Sequence, residues 1–138
     1  NFELTESTES TAELLDVALI PIKAGEKLTL KNVFFDSGSS ELRESSYPEL
    51  ERTAEFLNQN LSVRCELSGH TDNIGSASAN EALSKARALA VVNYLVEAGV
   101  ERSRMEYAGY GDQQPITTNE TEEGRQRNRR TELKIIQN

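Results

Sequence analysis

Alternating apolar and polar residues mark several short segments of the chain, and this period of two is typical of half-buried strands. The segments are residues 15–19, 28–35, 63–67, 104–108 and 131–135. Pro21 follows the first segment, which is therefore predicted to be an edge strand, because proline cannot donate to a central ladder. In the second segment the alternation changes parity after Asn32, which predicts a bulge or a break there.

Two longer segments repeat apolar residues at helical spacing, and they predict two main helices. The first begins at Ser46-Tyr47-Pro48-Glu49, a pattern typical of a capping box with proline in the first turn, and ends near Asn60. The second is predicted from about Asn80 to Ala98, before Gly99, which suits a helix C-terminus. Residues 36–40 and 112–124 are predicted loops. The inner stripe of the second helix is Ala88, Val91 and Leu95.

The order of these elements, β-β-α-β-α-β-loop-β, indicates an α/β domain. Alternation of strands and helices favours parallel strand pairs with helices packed on a face of the sheet. A chain of 138 residues is the size of one domain and can form a core without disulfides or a metal. Residues 1–12 are rich in Thr, Ser and Glu and offer almost nothing to bury, so they are predicted to be a flexible linker. Residues 13–138 are then the folded domain.

Charge and cysteine content narrow the range of partners. The net charge of −8 repels nucleic acid and anionic lipid, so no nucleic-acid partner is expected. The single cysteine, Cys65, alternates with apolar neighbours and is expected to be a buried strand residue. Positive charge is concentrated in the arginines of residues 125–130, which could bind a polyanion or pair with the acids that the chain has in excess. No apolar run is long enough to span a bilayer.

The residue types needed for catalysis or metal binding are scarce. His70 is the only histidine, and one histidine with one cysteine does not supply the several ligands of a metal site. A hydrogen-bonded structural role is therefore expected for His70. No Ser-His-Asp or Cys-His arrangement is suggested, and Asp36 with Asp72 makes only a weak carboxylate pair. We expect neither a cofactor nor an enzymatic activity.

Asp72 and Arg87 are the most informative pair of residues. Asp72 ends a strand pattern, and Arg87 is expected on the first turns of the following helix, beside its apolar stripe. If both side chains face one cleft, they could bind a zwitterion that carries an ammonium and a carboxylate close together. From the spacing alone, the alternatives of an internal salt bridge or of two solvated charges stay open.

Several motifs occur in a specific order along the chain. The most specific are Gly69-His70-Thr71-Asp72, Leu83-Ser84-Lys85-Ala86-Arg87-Ala88 and Asn128-Arg129-Arg130. Further pieces are Val33-Phe34-Phe35-Asp36, Gly109-Tyr110-Gly111 and Asn119-Glu120-Thr121. Together they resemble the OmpA-like peptidoglycan-binding domain over about residues 27–136.

The resemblance implies a fold and a ligand site. The fold is an OmpA-like βαβαβ-β sandwich, in which a mixed sheet carries two main helices. The ligand is the meso-diaminopimelate of the peptidoglycan stem peptide, with Asp72 at its ammonium and Arg87 at its carboxylate. A loop at Asp36 and Ser37 lines the implied site. The remaining residues that the resemblance places there are Asn80 and Leu83 on the helix and Arg129 in the final segment.

The implied function is non-catalytic binding of peptidoglycan, which anchors the outer membrane to the cell wall from the periplasm. One alternative is the wall-gripping domain of a flagellar-stator (MotB-like) or secretion-machine subunit. Another, an enzyme acting on the wall, is disfavoured by the lack of a catalytic constellation. The chain begins without Met, and we expect a fragment whose parent protein is membrane-attached through a missing N-terminal part.

Overall fold

The computed structural model describes residues 23–138, in which strands and helices alternate along the chain. The strands are β1 (Lys27–Thr29), β2 (Arg64–His70), β3 (Met105–Gly109) and β4 (Arg130–Gln137). The helices are α1 (Tyr47–Gln59), α2 (Ala77–Glu97) and α3 (Glu122–Asn128). The expected linker at residues 1–12 and the expected edge strand at residues 15–19 lie outside the described residues.

The strands form a mixed sheet in the order β1-β4-β2-β3. β4 runs antiparallel to both β1 and β2, whereas β2 and β3 are parallel. The parallel pair is joined by α2, because parallel neighbours need a long crossover connection. The prediction of an α/β fold with a mixed sheet and two main helices is confirmed, and α3 is an additional short helix.

The core lies between the sheet and the apolar faces of α1 and α2. The predicted inner stripe of α2 is confirmed, since Ala88, Val91 and Leu95 are fully buried. Cys65 is also buried as predicted, and this burial raises the pKa of its thiol to about 12, so the thiol stays protonated at neutral pH. Other core residues are Leu50 and Leu57 of α1, Leu67 of β2, and Leu133 and Ile135 of β4.

Residues 33–35 do not form the strand that their alternation predicted. Within this segment, Phe35 makes a single bridge to Leu42, and β1 ends at Thr29. The Ser46 side chain explains the difference, because it hydrogen-bonds to both backbone groups of Phe34. The hydroxyl oxygen accepts from the Phe34 N–H at 2.7 Å, and the hydroxyl donates to the Phe34 carbonyl at 3.1 Å. With Ser46 occupied in this way, the predicted capping box is wrong, although a proline does stand in the first turn of α1.

The start of α2 also differs from the prediction. The helix begins at Ala77, because Ser76 caps it by accepting the N–H of Ala79 at 3.1 Å. Arg87 therefore lies in the middle of α2 and not on its first turns. The predicted end is confirmed, with Ala98 as the C-cap and Gly99 in the left-handed region at φ 102°.

α3 occupies part of a segment that was predicted to be a loop. Thr121 caps it by accepting the N–H of Gly124 at 3.0 Å. At the other end, Asn128 is fully buried, and its Oδ1 accepts the N–H groups of Ile116 and Thr117. The preceding irregular segment is therefore fixed to α3 by side-chain hydrogen bonds that the local sequence pattern does not reveal.

Candidate binding cleft

A cleft of about 830 Å³ opens beside the end of β2 and the start of β4. Its walls come from the segment between β1 and α1, the β2–α2 connection, α2 and α3. Most of the predicted site residues line it: Ser37, Asp72, Asn80, Leu83, Arg87 and Arg129. The structure places Asp36 differently, because its carboxylate is 75% exposed and lies 3.5 Å from Nε of Arg43.

Two glycines allow α2 to approach the sheet closely enough to form a wall of this cleft. Gly69 of β2 and Gly109 of β3 are paired in register. A Cβ atom at Gly69 would lie 2.2 Å from the Ser84 carbonyl oxygen, and one at Gly109 would lie 2.2 Å from the Lys85 nitrogen. Any larger residue would therefore push the backbone of α2 away, and Arg87 with it.

Asp72 is buried, with only 7% of its surface exposed, yet both carboxylate oxygens have partners. Oδ1 accepts the N–H of Ile74 at 2.9 Å, and Oδ2 accepts from Nη1 of Arg129 at 2.5 Å. Asn80 steadies the same turn by donating to the Ile74 carbonyl at 2.9 Å. The position of the carboxylate is thus set by a strand end, a helical side chain and the residue that follows α3.

Arg87 is half-buried on the opposite wall, where its guanidinium is held by backbone carbonyls. Nε donates to Ser39 at 2.8 Å and Nη2 donates to Asp36 at 3.1 Å, while the guanidinium carbon lies 4.9 Å from the Phe35 ring centroid. Burial and, secondarily, the charge of Arg129 lower the pKa of Arg87. An arginine still remains cationic at neutral pH, because its ordinary pKa lies far above neutrality.

Arg129 connects two carboxylates at the mouth of the cleft. Besides Asp72, it donates from Nη2 to Oε2 of Glu122 at 2.7 Å. The hydrogen bond to Glu122 is the largest cause of a raised pKa at Arg129, with Asp72 contributing in the same direction. Arg129 in turn lowers the pKa of Glu122. Asp72, Arg129 and Glu122 are therefore linked by ion pairs in a cleft that Arg87, Arg125, Arg130 and Lys31 also line.

The ion pairs bear on the alternatives that the sequence left open for Asp72 and Arg87. Among the described residues, Asp72 pairs with Arg129 and not with Arg87. Burial of Asp72 also excludes a fully solvated charge. Asp72 and Arg87 line the same cleft from different elements and do not pair with each other.

Several other cleft residues were missed from the sequence. Glu122, Arg125, Gln126 and Ile74 line the cleft, as does Lys31. One signal in the sequence could have found Glu122. It directly follows the capping residue Thr121, and it lies about two helical turns before Arg129, so Glu122 and Arg129 are expected on the same side of α3.

The arginine-rich segment makes ion pairs, one of the two alternatives that the sequence left open, and His70 is hydrogen-bonded as expected. Arg125 pairs with Glu122, and Arg130 pairs with Glu132 at 2.7 Å. Nε2 of His70 lies 3.0 Å from the Ser68 hydroxyl and 3.5 Å from Glu132. Within residues 23–138 no cluster of three or more His, Cys, Asp or Glu side chains could hold a metal ion. None of the helices in that range has the length and apolar character needed to cross a membrane.

Comparison with protein families gives a match over most of the cleft-forming chain. A sequence model described as the OmpA family matches residues 34–129. Outer membrane porin F of Pseudomonas aeruginosa is 41% identical over 105 residues, covering 75% of this chain and 30% of that protein. The peptidoglycan-binding protein ArfA of Mycobacterium bovis is 37% identical over 103 residues, covering 75% of this chain and 32% of that protein. The chain therefore spans about a third of the length of these relatives.

Solved structures share the same fold. A MotB-like protein from Desulfovibrio vulgaris superposes with a TM-score of 0.73 at 28% identity, covering 81% of this chain and 73% of that one. The cell wall anchor of the T6SS from Pseudomonas aeruginosa gives 0.68 at 30% identity, covering 81% and 80%. The peptidoglycan-associated lipoprotein from Burkholderia pseudomallei gives 0.69 at 29% identity, covering 75% and 87%.

Proposed function

This chain belongs to the OmpA family, and from that membership we propose that it binds peptidoglycan without cleaving it. The group recognised is the meso-diaminopimelate of the stem peptide. A relative that is named for binding peptidoglycan supports the proposal, as do two structural neighbours named for attachment to the wall. The scarcity of catalytic side chains agrees with a binding role.

The observation that carries the proposal is that Asp72 and Arg87 line one cleft while each is held by groups other than its counterpart. The free end of diaminopimelate bears an ammonium and a carboxylate on the same carbon. Asp72 accepts hydrogen bonds from the ammonium. Arg87 donates to the carboxylate through those of its N–H groups that have no acceptor among the described residues. Burial strengthens both contacts, because charged hydrogen bonds are stronger where water is partly excluded.

The other predicted site residues act around this pair. Asn80 holds the turn that carries Asp72, and Leu83 supplies apolar surface from the same helix face. Asp36 acts through its backbone carbonyl, which orients Arg87, and Ser37 lines the cleft beside it. Arg129 organises Asp72 and does not itself read the ammonium.

The full-length protein is proposed to lie in the periplasm, attached to the outer membrane and so anchoring it to the wall. Porin F, an outer-membrane protein by name, supports this location. The chain spans about a third of the length of this relative, and the attachment is proposed to belong to the rest of the parent protein. Within the chain, residues 13–138 are proposed to be the binding domain and residues 1–12 a dispensable linker.

Pull-down with purified sacculi tests the function. Asp72→Asn and Arg87→Ala should each lose binding with an unchanged circular dichroism spectrum, because each leaves one ligand charge without its partner. A lost charged hydrogen bond costs about 1.5–3 kcal/mol, or roughly 10- to 150-fold in affinity. Arg102→Ala is the matched control, since Arg102 does not line the cleft and donates a hydrogen bond to Asn93 outside it. A chain that starts at residue 13 should bind like the whole chain.

Sacculus binding by both cleft variants at the wild-type level would refute the assignment. Release of soluble fragments from the sacculi by the wild-type chain would instead favour an enzyme. These two outcomes are read from the same incubation, in the pellet and the supernatant respectively.

A second candidate function is the wall-gripping domain of a flagellar-stator or secretion-machine subunit. The fold similarity to the MotB-like protein and to the cell wall anchor of the T6SS favours it. Both functions use the same cleft, so ligand binding does not separate them. The sequence of the parent protein does, because a stator subunit carries an inner-membrane helix with a functional acid ahead of this domain.

A further inference from the structure

The carboxylate that is proposed to bind the ligand ammonium already has a cationic partner. Oδ2 of Asp72 accepts from Arg129, whose side chain is 37% exposed at the mouth of the cleft. An aspartate and an arginine in contact sum to zero charge. Such a pair by itself offers little attraction to an incoming ammonium, and the nearby Arg87 repels it.

Glu122 changes this balance. Its two carboxylate oxygens accept from Nη2 of Arg129 at 2.7 Å and from Nε of Arg125 at 3.2 Å. Asp72, Arg129 and Arg125 alone carry a net charge of about +1 by simple summation, and Glu122 brings the group to neutrality. Glu122 therefore reduces the positive charge that an ammonium meets as it approaches Asp72, in a cleft that Arg87 and Lys31 also line.

We propose that Glu122 is a specificity-determining residue that makes the cleft selective for ligands with an ammonium group, and that it acts by offsetting the charge of Arg129. The proposal rests on diaminopimelate binding by Asp72 and Arg87. Glu122 is a positioning residue, because it orients Arg129 from the first turn of α3 and contacts the ligand through no atom of its own.

The electrostatic influence of Arg129 on its neighbours supports this role. Arg129 is close enough to Arg87 to lower the pKa of that residue, so its charge reaches across the cleft. Glu122 is 65% exposed, and solvent therefore screens part of its effect. The expected change in affinity is accordingly moderate and decreases as salt is added.

Calorimetric titration with two stem tripeptides tests the proposal. One is L-Ala-γ-D-Glu-meso-diaminopimelate, and the other replaces diaminopimelate by 2-aminopimelate, which keeps the distal carboxylate but lacks the ammonium. Glu122→Gln should weaken binding of the first peptide roughly 2- to 5-fold at low salt. Binding of the second should be unchanged or tighter, because it has no distal ammonium to be repelled near Asp72.

Glu123→Gln is the matched control. Glu123 occupies the same first turn of α3, and the change in net charge is identical, but it makes no ion pair among the described residues and does not line the cleft. It should alter either affinity less than 2-fold. Equal losses in the Glu122 and Glu123 variants, or an equal loss for both peptides in Glu122→Gln, would overturn the proposal.

A double-mutant cycle tests the route through Arg129. In an Arg129→Gln background the charge that Glu122 offsets is gone, so adding Glu122→Gln should have less effect than it has in the wild-type chain. An undiminished effect would contradict action through Arg129. If the wild-type chain binds neither peptide, the proposed function itself fails, and that result is distinct from any difference between the two glutamate variants.

Discussion

At the scale of single residues, the cleft works by holding charged side chains in fixed positions. Two carbonyls and the Phe35 ring hold the guanidinium of Arg87, and a backbone N–H with Arg129 holds the carboxylate of Asp72. A side chain that is already oriented loses little entropy when a ligand binds. Under the proposed function, we expect the two residues to discriminate between ligands that differ by one charged group.

Stem peptides with lysine in place of meso-diaminopimelate should bind more weakly. Lysine keeps the ammonium for Asp72 but lacks the carboxylate that Arg87 is proposed to read. The missing charged hydrogen bond corresponds to roughly 10- to 150-fold in affinity. Calorimetry with both peptides on the wild-type chain and on Arg87→Ala gives four affinities, and the preference should shrink in the variant.

Amidation of the distal carboxylate provides a control of similar shape for this prediction. It removes the charge while it keeps the size of the group, and it should weaken wild-type binding in the same direction. If the wild-type chain bound the lysine and diaminopimelate peptides equally, Arg87 would not be reading a carboxylate.

At the scale of elements, the position of α2 decides whether the site exists. Gly69 and Gly109 let the helix lie directly on β2 and β3, with backbone atoms of Ser84 and Lys85 where side chains would otherwise stand. Arg87 follows two residues later and faces the cleft. The sheet glycines thus contribute to the proposed site although they place no side chain in it.

Gly109→Ala should reduce both stability and affinity. The new methyl group would lie 2.2 Å from the Lys85 nitrogen and 2.5 Å from its Cα, so the helix must move. Overpacking of this kind lowers the free energy of unfolding by about 1–3 kcal/mol. Urea denaturation measures that loss, and titration with the diaminopimelate tripeptide should show weaker binding because Arg87 is displaced.

Arg104→Met separates the two effects. Arg104 is buried at the opposite end of β3, where its guanidinium donates to the carbonyls of Leu57, Asn60 and Val63. Its replacement should destabilise the fold while the affinity is preserved. If Gly109→Ala lost stability but kept its full affinity, the placement of α2 would not matter for the site.

α3 shows how an element can be missed when its stabilising contacts are distant in sequence. Its residues, EEGRQRN, have almost no apolar periodicity. Hydrogen bonds between the Asn128 side chain and residues 116–119 hold the end of the helix. The local signals were Thr121 as a cap and two glutamates in the first turn. They were not enough to favour a helix over a polar loop.

At the scale of the whole molecule, a buried polar network joins the central strands of the sheet. Glu132 of β4 accepts from Nε of Arg130 at 2.7 Å and lies 3.5 Å from Nε2 of His70 on β2. Arg130 also donates to the carbonyl of Gln114, in the segment before α3. The network therefore couples the sheet to the wall of the cleft.

This network should make stability dependent on acidic pH. The hydrogen bond from His70, then that from Arg130, lowers the pKa of Glu132 to about 2 against the opposing effect of burial. The stabilisation is present above the unfolded-state pKa of about 4.5 and is lost as the pH falls through about 2, with a magnitude on the order of 2–3 kcal/mol.

Thermal unfolding from pH 7 to pH 2 on the wild-type chain and on Glu132→Gln measures this dependence. The variant should be less stable at pH 7, and the difference should narrow below about pH 4.5. Glu123→Gln, which changes an exposed glutamate, should follow the wild-type curve. A constant difference between wild type and Glu132→Gln across this range would contradict the assignment to Glu132.

The sequence by itself determined the elements whose evidence is local and periodic. Alternation located the central strands, helical spacing located α1 and the inner stripe of α2, and the ordered motifs pointed to the family and to the charged residues of the site. The sequence could not determine which charged side chains form ion pairs with each other. Only tertiary structure brought Arg129 to Asp72, left Arg87 to the carbonyls of Ser39 and Asp36, and placed Glu122 at the cleft. The physical reason is that ion pairs and close helix–sheet contacts join residues tens of positions apart, and sequence periodicity describes only neighbours along the chain.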